Sequence, residues 1–149
     1  MNALTLLKRD HAAVKEILEE LDRTTDRGVK TRQELFSKVK RDLELHEAIE
    51  EEIFYPALKK HPKAKEIVLE GFEEHHVVNA IVAELGAVPF DDETWGAKLT
   101  VMRENVEHHI DEEENEMFSK ARQVLDEEDL AELGVQMQAR KDELMGENA

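Results

Sequence analysis

Four stretches of the chain place apolar residues three and four positions apart, and each stripe is broken by a histidine. The first runs Leu4, Leu7, His11, Val14, Leu18, Leu21, and the second Phe36, Val39, Leu43, His46, Glu50, Ile53. The third is Val68, Phe72, His75, Asn79, Val82, and the fourth Leu99, Met102, Val106, His109, Glu113, Glu116. That spacing is the period of a helix turning one face toward a seam. Thr24 to Gly28, the pair His61-Pro62 and the stretch Gly86 to Asp92 punctuate the stripes, and Pro56 also marks the end of the second. Short loops between long helices make sequential helices antiparallel. The expected fold is all-α, an antiparallel up-down-up-down four-helix bundle with a short fifth C-terminal helix.

That fifth segment spans about residues 127–145. Asp126 is its expected N-cap, and Leu130, Leu133, Met137 and Leu144 form its stripe. It is expected to pack across the bundle or to support a dimer contact, so the chain is a monomer or a small homo-oligomer. With 149 residues and no linker, one domain over 1–149 is expected, the bundle taking about 1–125.

Charge and composition narrow the function. A net charge of −16 repels phosphate backbones and anionic membrane surfaces, so no nucleic acid and no membrane is expected as partner. The absence of cysteine removes disulfides, thiolate metal sites and thiol redox chemistry. No apolar run reaches the roughly 20 residues that span a bilayer. Met1 to Asp10 has no hydrophobic core or cleavage site of a signal peptide, which leaves the cytoplasm as the default location.

The chemistry lies in the polar residues of the seams. Burying unpaired imidazoles and carboxylates is costly, so six of them in seam positions need a common partner. His46 and Glu50 are four apart, as are His109 and Glu113, so each pair projects from one helix face. The pattern recurs: 46 − 11 = 35 and 109 − 75 = 34 positions separate the histidines of each half. Depth agrees, since His46 and His75 both lie roughly 15 Å from the second connection if the third helix starts near Lys65. Any one of these residues has an ordinary reading, a satisfied core histidine or a glutamate of a solvated acidic run. Together, on four helices, they specify a shared metal site. Four imidazoles and two carboxylates without sulfur suit iron or manganese and are acceptable to zinc. Six ligands exceed one four-coordinate structural zinc, and two carboxylates can bridge two ions. Two irons fit best.

The segments LLKRDHAAVKEIL, LELHEAIEEEIFYPAL, FEEHHVVNAIVAEL and VEHHIDEEENEMFSKA carry the order H…HxxxE…H…HxxxE. Over residues 1 to 125 this resembles the hemerythrin-like family of HHE cation-binding domains, and the tail DLAELGVQMQARKDEL is similar to tails in an actinobacterial branch of it. The resemblance implies an oxo- or hydroxo-bridged di-iron centre with His11, His46, Glu50, His75, His109 and Glu113 as ligands. Oxygen-carrying hemerythrins have HxxxH on the third helix, where this chain has Asn79, and HxxxxD on the fourth, where it offers Glu113 and Glu114. Glu113 lies about 40° around the helix from His109 and Glu114 about 140°, which favours Glu113. With one histidine lost, the actinobacterial branch suggests Tyr55 as a phenolate ligand. An ideal helix turns Tyr55 about 180° from His46, so the role requires a distortion, for which Pro56 is the candidate; a packed core residue is the other reading.

His76 and His108 are expected beside the site or exposed, His61 at the surface, and Phe54, Phe72, Met117 and Phe118 in the core. Trp95 is expected to pack against a helix end. Three functions fit such a centre: catalase-like decomposition of hydrogen peroxide, non-catalytic binding or sensing of O2 or nitric oxide, and iron storage or buffering. Storage is disfavoured because the ferritin-like ExxH spacing is absent.

Overall fold

The computed structural model describes residues 1–147, and among them there is no strand. Helix α1 is Ala3–Asp22, α2 Val29–Ile49, α3 Tyr55–Lys59, α4 Pro62–Ala87, α5 Trp95–Glu112, α6 Phe118–Val124 and α7 Glu127–Glu147. Single π-turns, Glu50–Phe54 and Glu113–Met117, join α2 to α3 and α5 to α6 without leaving helical backbone. Residues 29–59 and 95–124 are therefore two long rods. The expected domain limits run past the description, since 148–149 lie outside the described residues.

Local chemistry accounts for the ends. Asn2 caps α1 by accepting from the Thr5 N–H at 2.9 Å. His61 is the extended residue before α4, and Pro62 takes its first turn, where a missing N–H costs nothing. This starts α4 three residues before Lys65. Asp126 and Asp129 cap α7 reciprocally, each side chain accepting from the other's backbone N–H at 2.8 and 3.2 Å.

Pro56 does not close the second helix, which continues to Lys59. The distortion lies one turn earlier, where the Tyr55 N–H reaches back five residues to the Glu50 carbonyl. The same bond joins Phe118 to Glu113, in a segment without proline. The two π-turns thus start at equivalent glutamates (113 − 50 = 63 and 109 − 46 = 63), so the turn goes with the HxxxE segment rather than with proline. One extra residue per turn advances the seam by one position. Phe54 and Met117 are buried where Ile53 and Glu116 were expected; Ile53 is only partly buried and Glu116 is exposed.

The interior has two apolar clusters. One gathers Leu4, Leu7, Phe54, Leu58, Val68 and Phe118 with Leu130 and Met137 of α7. The other gathers Leu18, Phe36, Val82, Trp95, Leu99 and Met102. At its far end Arg32 stacks 4.6 Å over Trp95 and donates to the Phe90 carbonyl at 2.6 Å, locking both loops; Trp95 packs there against Phe36 and Phe90, as expected of a residue at a helix end. Helix α7 packs on α1 and α2. Gly134 permits that contact, because a Cβ there would overlap the Met1 carbonyl.

Candidate metal centre

Between the two apolar clusters the interior turns polar. His11 from α1, His46 from α2, His75 from α4 and His109 from α5 are all buried, and Glu50 and Glu113 are completely enclosed at the starts of the π-turns. The structure brings all six together. One potential ligand atom each from His11, His46, Glu50 and Glu113 lies within 4.8 Å of the others, and the same holds for Glu50, His75, His109 and Glu113. The two groups share both carboxylates. That sharing is an arrangement in which two cations could lie side by side.

Contacts inside the cluster fall short of satisfying it. His11 Nε2 is 3.0 Å from Glu113 Oε1, and His75 Nε2 is 3.1 Å from Glu50 Oε1. His46 Nε2 lies 3.0 Å from Glu50 Oε1 and His109 Nε2 3.3 Å from Glu113 Oε2, but neither is aligned as a hydrogen bond. Both nitrogens and Glu50 Oε2 are buried polar atoms without a partner. Such orphans are expensive in a protein interior and are what a cation would satisfy. The residues fit a metal pair.

Tyr55 joins this group. Its hydroxyl donates to Glu113 Oε2 at 2.7 Å and lies 3.3 Å from His75 Nε2, while its ring stacks on His75 at 5.4 Å. The π-turn turns it inward: five residues make about one turn there, so Tyr55 lands over Glu50 instead of opposite His46. Phe118 holds the equivalent place (118 − 55 = 63) and stacks on His11 at 6.1 Å. Gly71 leaves room for the phenol, since a Cβ there would stand 2.9 Å from the Tyr55 hydroxyl.

A ring of outer carboxylates was not anticipated. Asp10 accepts from His46 Nδ1 at 3.0 Å and Glu51 from His75 Nδ1 at 2.8 Å. Glu74 accepts from His109 Nδ1 at 2.7 Å and Glu114 from His11 Nδ1 at 2.6 Å. Each is the chain neighbour of an inner residue: Asp10 of His11, Glu51 of Glu50, Glu74 of His75, Glu114 of Glu113. Each therefore reaches the histidine of the next rod, and the four contacts close a circle. Such contacts fix which ring nitrogen faces inward and raise its basicity. The acidic runs around Glu50 and Glu113, readable as solvated faces, supply both layers; Glu114 belongs to the outer one. Asp10 is further held by Lys141 of α7 at 2.6 Å.

The electrostatics are those of a site built for positive charge. Burial disfavours a charged His109, yet the Glu113 and Glu74 carboxylates beside its ring outweigh burial and raise its pKa to about 10. Burial likewise opposes charge on His46, but Glu50 and Asp10 push its pKa well above the usual imidazole range. Burial would raise the pKa of Glu113, yet its polar neighbours Glu50, His109 and His11 outweigh burial and hold it well below the ordinary carboxylate range. Burial, with Glu50 and Glu113 nearby, pushes the Tyr55 phenol well above its ordinary value.

Asn79 stands elsewhere than its seam position implied. It is exposed, and Val78 takes the inward place. Helix α4 turns its seam toward α5, leaving Asn79 on the flank beside α2. His76 and His108 are exposed, and His61 is partly buried before α4.

Fold and site together define a helical protein with a buried histidine–carboxylate cation centre. The chain belongs to the family described as hemerythrin HHE cation binding domain, whose model matches residues 2–121. It is 31% identical to uncharacterized proteins of Mycobacterium tuberculosis and Mycobacterium bovis, over 98% of this chain and 89% of theirs. It is also similar to the crystal structure of a hemerythrin HHE cation binding domain-containing protein from Mycobacterium kansasii. That match has a TM-score of 0.89 and 26% identity, and covers 99% of this chain and 89% of the other. The fold is therefore hemerythrin-like. No described helix is long and apolar enough to cross a membrane.

Proposed function

We propose that this chain is a cytoplasmic di-iron protein that decomposes hydrogen peroxide in catalase-like fashion. In this reading residues 1–149 form one domain, its rods running alternately up and down as an antiparallel four-helix bundle with α7 laid across it. His11, His46, Glu50, His75, His109 and Glu113 hold two irons, and Tyr55 is a further ligand to the ion held by His75 and His109. Bound there, the iron pair would exchange electrons with peroxide.

The observation that carries the proposal is the Tyr55 hydroxyl, 2.7 Å from Glu113 and 3.3 Å from His75 inside the centre. An anionic oxygen donor favours the ferric state, as the tyrosine ligand of haem catalases illustrates. Reversible oxygen carriage needs a stable ferrous state, so this donor set favours peroxide chemistry. The chain's own part is to fix the ligands, through the outer carboxylate ring, and to keep bulk water out with the apolar clusters on either side. Burial also makes the phenol costly to ionise, so metal binding must displace its proton together with those of the imidazoles.

The test is metal analysis with oxygen release. Protein loaded with two irons per chain is expected to evolve O2 from hydrogen peroxide, and Tyr55→Phe to do so more slowly. Two bound irons without O2 release would overturn the activity and leave the metal centre standing.

A further inference from the structure

The four histidines line a small cavity of about 20 Å³ that Tyr55 does not reach, completed by Val14, Leu43, Glu47 and Val78 among others. That is room for one water-sized molecule. Around it α1 packs on α2, α4 on α5 and α1 on α5. Helices α2 and α4 approach each other far less closely, and an open groove of about 450 Å³ runs between them. Leu43 and Glu47 line both the groove and the cavity. Glu47 of α2 and Asn79 of α4 both line the groove.

We propose that the α2–α4 groove is the access path to the centre, that Leu43 and Glu47 form its gate, and that it admits small neutral hydrogen-bonding molecules in preference to anions. Leu43 and Glu47 are the side chains common to both spaces, so their rotation opens one to the other. Glu44, Glu47 and Glu51 line the groove with Lys40 as the one cation among its walls, so the mouth repels anions. Hydrogen peroxide is uncharged, donates and accepts, and can exchange its hydrogen bonds to water for bonds to Glu47 and Asn79 as it passes. The substrate class rests on the peroxide-reactive reading of the centre.

Stopped-flow mixing of the iron-loaded full chain with hydrogen peroxide or azide, followed by the visible spectrum, tests this. Asn79→Trp, which plugs the groove from an exposed position, is expected to slow the peroxide response about tenfold or more, and Asn79→Ala to match or exceed the parent. His76→Ala, on the same helix outside the groove, is expected to change nothing. Glu44→Lys is expected to speed azide binding and leave peroxide unaffected. Unfolding temperature and iron content, equal across the set, show that the variants are intact. A responsive parent whose Asn79 variants are indistinguishable from it overturns the access path alone. A parent that answers neither probe overturns the peroxide reading, and the access path with it.

Discussion

Tyr55 and Glu113 are 58 residues apart on separate rods, and the phenol of one donates to the carboxylate of the other at 2.7 Å. The contact exists because each rod has a π-turn at its HxxxE glutamate. One π-turn swings Tyr55 inward, and the other begins at Glu113. The two rods carry matching registers, with a phenol on one and the plain ring of Phe118 on the other. At this position the centre's two halves differ by one oxygen atom.

Tyr55→Phe is expected to keep the fold. The ring is fully buried and stays packed against Phe54, Phe72 and His75, so only the hydroxyl is lost, at a cost of about 1 kcal/mol. The visible spectrum is the decisive measurement. A tyrosinate-to-iron band present in the iron-loaded parent should vanish in the variant, and an unchanged spectrum would remove Tyr55 from the ligand set.

Gly71→Ala tests the same oxygen from the other side. The new Cβ would stand 2.9 Å from the hydroxyl and 3.0 Å from the ring carbon that bears it, too close for either to stay. The tyrosinate band should shift or weaken while iron content holds. Overpacking of this kind costs about 1–3 kcal/mol, readable as a lower unfolding temperature.

Removing an outer carboxylate should loosen the metal without abolishing it. Glu74→Gln leaves His109 in place but weakens the acceptor that orients it, and about 10–100-fold lower metal affinity is expected in chelator competition. Glu113→Gln strikes a carboxylate shared by both groups of ligands and should leave the protein unable to retain two ions. Equal affinities for the two variants would refute the distinction between inner and outer carboxylates.

The metal-free protein should lose stability as pH rises. His109 has a folded pKa of about 10 against 6.5 for the free side chain, so the folded state binds the extra proton. Its stabilising contribution is complete below pH 6.5 and disappears as pH climbs through about 10. Unfolding temperatures of the metal-free chain should therefore fall across that window. In the metal-loaded chain the slope should flatten, because the cation replaces the proton, and metal uptake should release protons to the buffer.

The helical class, the four seams, their histidines and the two i,i+4 glutamates were legible in the sequence, because burial and helical period act on near neighbours. A buried polar residue at a seam position is improbable unless something pairs it, so His11, His46, His75 and His109 marked a site before any coordinates did. The carboxylate ring left a fainter trace: every member adjoins an inner residue, but acidic neighbours are common on solvated helices and adjacency does not say which rod they reach. Tyr55 and Asn79 were beyond local reasoning. An ideal period turns Tyr55 away from the centre, and only the five-residue turn, stabilised by what it packs against, brings it back. The same period put Asn79 inside, whereas the direction in which α4 leans on α5 puts it outside. Local spacing determines which face of a helix is apolar; tertiary packing decides where that face is rotated, because a register shift of one residue is cheap within a helix and is selected by the contacts it makes across the interior.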